Sequence, residues 1–333
     1  MVKRVLFFLT SFSIGVFLFI WVIRFIGWEE VKSVFFTFSR QEGLIILGLT
    51  FATMIVSLIR WRSVLRSQGY NVPIIGLFRP FLVCHAVTYL TPTVPFGGDV
   101  LAGYIVKEKL KLPLKVAVSS AIIDQILEVT SHLIVILLGV IYFLFKIGLP
   151  PRDLIIILGG GFLIALTLLS FFYLKSFRKE SLVKIFFKKR EESQFLEIEK
   201  EVFQFFSLKN FNFWKGLALS FLREGVSFCR SFILIFFLSG SLNFFPALSV
   251  FSFSTLVQLF PVPANLGSHE IIQTFVFSSL GMAKGIAPAF TIIIRGAELF
   301  LSFIGVIFLF GFGRYVLGGF IFKENNKELD SIQ

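Results

Sequence analysis

Two long apolar stretches of this chain, 78–107 and 246–282, are each interrupted near the middle by prolines and glycines, and that pairing restricts the possible folds most severely. The first break reads Pro92-Thr-Val-Pro95-Phe-Gly97-Gly98-Asp99; the second reads Pro261-Val-Pro263-Ala-Asn265-Leu-Gly267-Ser-His269-Glu270. Proline removes a backbone donor and glycine loosens a helix, so neither stretch runs through as one straight helix. Each piece is short for a crossing. Both stretches are therefore read as re-entrant hairpins of two half-helices.

Around them lie uninterrupted apolar runs at 5–27, 43–60, 116–145, 153–174, 214–239 and 286–311. A helix needs about 20 apolar residues to cross the hydrocarbon core. The chain is 56% hydrophobic and 16% charged, against roughly 45–50% and 25% in soluble domains. The expected fold is an all-α integral membrane protein with six full transmembrane helices plus two re-entrant broken-helix hairpins. The run 5–27 is too long for a signal-peptide core and no small-residue cleavage site follows it, so a retained span is expected. The two cysteines, Cys84 and Cys229, lie in apolar segments. Neither a disulfide framework nor a thiolate metal site is expected, and no cofactor motif is visible.

The net charge of +12 is a topology signal, not a nucleic-acid one, because the basic residues sit in short loops between apolar runs. With the N-terminus inside, the inner segments hold Lys3, Arg4, Arg60, Arg62, Arg66, Arg79, Lys107, Lys109, Lys111, Lys115, the basic 175–215 stretch and the tail residues Arg314, Lys323 and Lys327. The outer segments keep Lys32, Arg40, Lys146, Arg152 and Lys284. That asymmetry predicts a multi-pass protein of the cell membrane with both termini cytoplasmic.

The interrupted stretches also look like copies of one another. Asp99 precedes Asp124 by 25 residues, as Glu270 precedes Arg295; Arg60 lies 32 residues before Pro92, and Arg230 lies 31 before Pro261. Each half then reads as crossing, broken hairpin, crossing, with the first hairpin entering from the cytoplasm and the second from outside. This divides the chain into a first half, 1–174, a polar linker, 175–213, a second half, 214–313, and a cytoplasmic tail, 314–333. Paired interrupted segments in inverted halves point to a transporter's central site. Within the linker, Phe195, Ile198, Val202 and Phe205 or Phe206 recur at helical spacing, which suits an amphipathic helix on the inner leaflet or a linker of fixed length.

Ionisable residues inside the spans are expensive, at about 2.5–3.5 kcal/mol each near the bilayer centre on insertion scales. Asp124, Glu128 and His132 follow one another at four-residue spacing on one helical face. Arg223, Ser227 and Arg230 share another face beside Glu224, and Arg295, Glu298 and Ser302 form a third stripe. Such stripes face the bundle interior, either as ion pairs that fix helix register or as the lining of a hydrophilic cavity. In the second reading the half-helix N-termini after Gly98 and Gly267 point positive dipole ends inward, and three arginines suit a phosphate. His85 and His269 are lone histidines of less obvious use. The candidate substrate-binding set is Arg60, Asp99, Asp124, Glu128, Arg223, Glu224, Arg230, His269, Glu270, Arg295 and Glu298, with no metal ligands among them.

Together Tyr89-Leu-Thr-Pro92-Thr-Val-Pro95-Phe-Gly97-Gly98-Asp99 with Ala121-Ile-Ile-Asp124, and Pro261-Val-Pro263-Ala-Asn-Leu-Gly267-Ser-His-Glu270 with Arg295-Gly-Ala-Glu298, resemble signatures of the lysylphosphatidylglycerol synthase transmembrane, or flippase-like, family. The resemblance covers roughly 5–315. It implies movement of charged or glycosylated lipids between leaflets, with a membrane phospholipid or glycolipid as partner and a homo-oligomer as one possible assembly. In bifunctional members a soluble aminoacyl-transferase domain follows this region. Here about 20 residues follow the last span, so synthase activity is not expected. The sequence leaves two other classes open: a secondary carrier of a small soluble anion, and a membrane-embedded transferase acting on lipid carriers. The short loops offer the transferase no catalytic carboxylate constellation, and no P-loop is present for ATP-driven pumping.

Overall fold

Helices account for all the regular structure among the described residues. The computed structural model describes residues 39–90, 97–186, 192–240, 243–260, 262–265, 267–283 and 285–330. The expected span 5–27 and the break residues Pro92, Pro95 and Pro261 lie outside them. Helix α1 spans Arg40–Ser67 and opens with a capping box, in which the Ser39 hydroxyl accepts from the Glu42 amide and the Glu42 carboxylate accepts from the Ser39 amide. Next come α2, Ile74–Leu90, and α3, Gly97–Leu110, then α4, Leu114–Lys146, which starts directly after Pro113. Helix α5 runs over Arg152–Arg178 with one π turn at Ile155–Gly159.

After a short helix at Val183–Phe186 come α6, Glu192–Phe205, and α7, Phe211–Ser239, the latter capped by the Asn210 side chain and ended by Gly240 at φ +67°. The last elements are α8, Phe244–Val257, a 3-10 turn at Pro263–Asn265, α9, Ser268–Ser279, and α10, Ile286–Asp330. Both interrupted stretches are therefore pairs of shorter helices, broken where the prolines and glycines cluster. In the second, Ala264, Asn265 and Gly267 take φ of 48°, 52° and 74°. Left-handed residues of that kind cannot continue a right-handed helix.

Four helices are long and apolar enough to cross a membrane: Arg40–Ser67, Leu114–Lys146, Arg152–Arg178 and Ile286–Leu309. Helix α7 has the length, 29 residues, but carries Lys215, Arg223, Glu224 and Arg230; joined to α8 across a sharp bend it makes a fifth candidate. The described part is thus a multi-pass, all-helical membrane protein with four to five apolar spans. Peripheral α5 shows what the outer surface meets: Ile156, Leu163, Ile164 and Leu168 are 60–65% exposed, a face suited to hydrocarbon.

Helix α1 lies along α7, the most extensive pairing in the bundle; α2 packs on α10 and α8 on α4. Those last two crossings are both close. A Cβ added at Gly305 of α10 would meet the Leu82 carbonyl of α2 at 2.1 Å, and one at Gly139 of α4 would meet the Ser252 hydroxyl of α8 at 2.1 Å. The Ser252 hydroxyl also donates to the Val135 carbonyl at 2.8 Å. Helix α6 sits over one end of α4. Its apolar stripe, Ile198, Val202 and Phe205 with adjoining Phe206, is buried against Val64, Ile123, Leu127 and Phe213. That stripe is used on the bundle itself, because the ends of α1, α4 and α7 offer an apolar face that would otherwise stay uncovered.

Candidate functional site

Helical spacing delivers Asp124 and Glu128 to the α1 side of α4, and Arg60 meets them there. Its Nε donates to Asp124 at 2.7 Å and its Nη2 to Asp124 at 2.9 Å and Glu128 at 2.5 Å, while Nη1 reaches the Ser220 hydroxyl of α7 at 3.2 Å. Arg60 has no exposed surface at all. It is therefore an interior charge and leaves the tally of loop cations that sets topology. A buried guanidinium persists only with such full pairing. Arg223 continues the cluster: Nη2 lies 3.2 Å from Glu128, and Nη1 donates to Glu224 at 2.7 Å. His132 closes it, with Nε2 at 2.9 Å from Arg223 Nη1 and 3.2 Å from Glu224 Oε1.

A second cluster joins α7 to α10. Arg230 Nη1 donates to Glu298 at 2.7 Å and to the Thr50 hydroxyl of α1 at 3.1 Å. His85 Nε2 of α2 lies 3.5 Å from the other Glu298 oxygen, and its ring stacks on Tyr89 at 5.9 Å between centroids. Further along α10, Arg295 pairs with Glu270 in the first turn of α9 and donates to the Asn265 carbonyl at 3.3 Å. The freed carbonyl of the broken segment thus receives a charged donor, the satisfaction that non-helical backbone needs at membrane depth. His269 is buried and its Nε2 lies 3.2 Å from the Ser254 hydroxyl, which also accepts from Gln273 Nε2 at 2.6 Å.

Between the clusters is a cavity of about 270 Å3 that Glu128, His132, Arg223, Glu224, Arg230, His269, Arg295 and Glu298 all line, together with Ala264 and Asn265 of the broken segment. A smaller hollow of about 120 Å3 continues it past Asp124, Gln125 and Trp61. Described members of both halves contribute to the walls. The two readings of the polar stripes are realised together: the charges are paired across helices and the pairs line a cavity.

Ten of the eleven residues singled out from sequence fall in these clusters. Asp99 lies in the first turn of α3, with its side chain outside the described part. Gly97 and Gly98 begin α3, Gly267 immediately precedes α9, and Pro263 opens the 3-10 turn. Sequence reasoning placed His132 on the right face but not in the site, and it missed Thr50, Ser220, Tyr89, Ser254 and Gln273. Hydroxyls and amides in a Phe-rich helix carry no cost large enough to mark them in advance. The three arginines of the phosphate reading are each engaged by a carboxylate, as the ion-pair reading allowed, though the sequence did not say which carboxylate meets which arginine. Among the described residues no group of three or more His, Cys, Asp or Glu has the arrangement of a metal site.

A helical bundle with several apolar spans and paired charges around an interior cavity, its wall built partly from a broken helical segment, defines a polytopic helical membrane protein. The chain belongs to the family described as lysylphosphatidylglycerol synthase TM region, whose model matches residues 8–305. It is similar to UPF0104 membrane protein PH1989 of Pyrococcus horikoshii, at 22% identity over 340 residues covering 96% of this chain and 97% of that protein. It is similar also to UPF0104 membrane protein MJ1595 of Methanocaldococcus jannaschii, at 21% identity covering 84% of this chain and 87% of that protein. A UPF0104 membrane protein of Methanothermobacter thermautotrophicus is 22% identical, covering 85% and 88%. No solved structure matches the chain.

Proposed function

We propose that this protein is a lipid flippase or lipid transporter that carries a polar, phosphate-bearing or glycosylated headgroup across the cell membrane through the midplane cavity. The observation that carries the reading is the cavity itself, charged on several walls and set between α1, α4, α7 and α10. Its volume, about 270 Å3, lies just below the ~300–1,000 Å3 of ordinary ligand pockets. That is room for a headgroup, with acyl chains left outside in lipid. In this reading the six crossings include the 5–27 span, both termini are cytoplasmic, and the α2–α3 and α8–α9 pairs are re-entrant hairpins.

An inverted repeat supports alternating access. Exchanging α1 with α7, α2 with α8, α3 with α9 and α4 with α10 maps the helix contacts onto one another: α2 on α10 becomes α8 on α4, α3 on α4 becomes α9 on α10, and α1 on α7 maps onto itself. A headgroup phosphate would meet guanidiniums that already hold carboxylates. Arg295 is the most accommodating, since its partner Glu270 is 37% exposed and can swing aside. Arg230 keeps an Nε with no partner among the described residues.

The test is leaflet movement of headgroup-labelled phospholipids and glycolipids in proteoliposomes, comparing wild type with Arg230→Ala and Arg295→Ala. Accelerated movement that both substitutions abolish, with folding intact, supports the proposal. No movement of any lipid, beside uptake of a soluble anion, would overturn it in favour of a small-anion carrier. Turnover of a lipid-linked donor would favour a transferase.

A further inference from the structure

His132 Nε2 has two close neighbours that make opposite demands on it. Arg223 Nη1, at 2.9 Å, can only donate, so that contact requires a free lone pair on Nε2 and a neutral ring. Glu224 Oε1, at 3.2 Å, is a carboxylate oxygen that accepts, so that contact requires a proton on Nε2. One nitrogen cannot satisfy both. With the ring neutral, Glu224 is satisfied by Arg223 Nη1 at 2.7 Å. Once Nε2 is protonated, Glu224 takes the imidazolium N–H and Arg223 must turn away. A second acceptor is already in place for it, because Arg223 Nη2 lies 3.2 Å from Glu128.

We infer that His132 is a proton-binding site, and that proton uptake there moves Arg223 from Glu224 to Glu128 and so couples the cavity to a proton gradient. The coupling rests on the transport reading above; the proton site does not. The step is balanced: a proton from cavity water forms an N–H bond at the Nε2 lone pair and leaves by the same route. Arg223 and His132 both line the cavity, so the exchange changes its wall.

The charge count gives a second, independent reason. The cluster around the ring holds Arg60 and Arg223 against Asp124, Glu128 and Glu224, one carboxylate in excess among the described residues. An uncompensated charge is costly away from water, and one proton on His132 removes it. The charged groups facing the ring are Glu128 on its own helix and Arg223 and Glu224 on α7; Arg60 of α1 and Asp124 stand behind Glu128, and Arg230 and Glu298 stand across the cavity. Helix α8 brings no charged residue to α4, and Tyr173 of α5 is tied to Thr130 at 2.9 Å.

Because the chain has only three histidines, His85, His132 and His269, 15N-histidine NMR of the full-length protein in lipid nanodiscs reads the site directly. As the pH is lowered, the His132 ring is expected to pass from one protonated nitrogen to two. His132→Gln should remove that resonance, and His85→Gln with His269→Gln assign it by elimination should His132→Gln fail to fold. A His132 ring that keeps one protonation state throughout would overturn the inference. In proteoliposomes, a gradient of one pH unit should drive up to about a tenfold lipid asymmetry at one proton per cycle, lost in His132→Gln and in Glu224→Gln. Lipid movement indifferent to the gradient would overturn the coupling alone. A titrating ring without any lipid movement would instead sink the transport reading and leave the proton site standing.

Discussion

Arg60 and Arg230 occupy equivalent places 170 positions apart: each donates to a glutamate 68 residues downstream, Glu128 at 2.5 Å and Glu298 at 2.7 Å, and each reaches a hydroxyl on the other's helix. Those hydroxyls, Ser220 and Thr50, are themselves 170 positions apart. So are Leu82 and Ser252, the residues against which Gly305 and Gly139 pack. One ion-pair motif is built twice across the α1–α7 seam. The copies differ at the second carboxylate: Arg60 also holds Asp124, whereas the position 170 further on is Ile294.

That difference ranks the two arginines. Removing one partner of a buried pair costs about 3–5 kcal/mol. Arg60→Ala strands Asp124 and leaves Glu128 to Arg223 alone, and should destabilise more than Arg230→Ala, which leaves Glu298 with only its contact to His85. Thermal loss of the monodisperse peak in detergent measures this. A smaller effect at Arg60 would mean that water reaches its carboxylates.

Reversing the second pair should be tolerated better than breaking it. Arg230→Glu and Glu298→Arg singly each place like charges together, whereas the double variant restores opposite ones. A double-mutant cycle on detergent stability should return a coupling of about 1–3 kcal/mol. Additive losses would show that the pair contributes nothing jointly.

The helix crossings predict matched defects. Gly305→Ala and Gly139→Ala each force a Cβ into a space already filled, and overpacking costs about 1–3 kcal/mol. The Gly305 change should cost more, since it meets a backbone carbonyl where Gly139 meets a hydroxyl that can rotate. Gly43→Ala, with nothing within 4 Å of the added atom, is the control, and helix propensity should make it neutral or slightly stabilising.

Glu270→Gln separates stability from transport. Its carboxylate is 37% exposed while Arg295 is buried, and the amide can still accept from the guanidinium, so melting should fall by less than the about 3–5 kcal/mol of breaking a fully buried pair. Freed of its countercharge, Arg295 should favour phosphate-rich headgroups, read as a changed ratio of labelled phospholipid to glycolipid movement. An unchanged ratio would remove Arg295 from headgroup selection.

Orientation is tested by labelling. In a background with Cys84 and Cys229 replaced, a cysteine at Gly69, between α1 and α2, should react with an impermeant maleimide only from the cytoplasmic side. One at Leu149, 80% exposed between α4 and α5, should react only from outside. Equal accessibility from both sides would reject the positive-inside assignment.

Sequence alone determined the class, the helical content and the places where the helices break. Those properties follow from local quantities: apolar runs long enough for a bilayer, prolines that lack a donor, glycines that permit positive φ. It also placed Asp124, Glu128 and His132 on one face, because that depends only on the pitch of a helix. What it could not supply was which charge meets which. Arg60 reads both as a loop cation and as a site candidate, because it closes an apolar run just before Arg62 and Arg66. Only the packing of α1 between α4 and α7 takes it out of water and turns it toward Asp124. Likewise the sequence left the arginines either paired across helices or free for a phosphate, and the tertiary structure set a carboxylate against each one. Ion pairs between residues 68 or 95 positions apart depend on interhelical distances of a few ångströms, and a linear pattern of apolar and polar residues contains no measure of those.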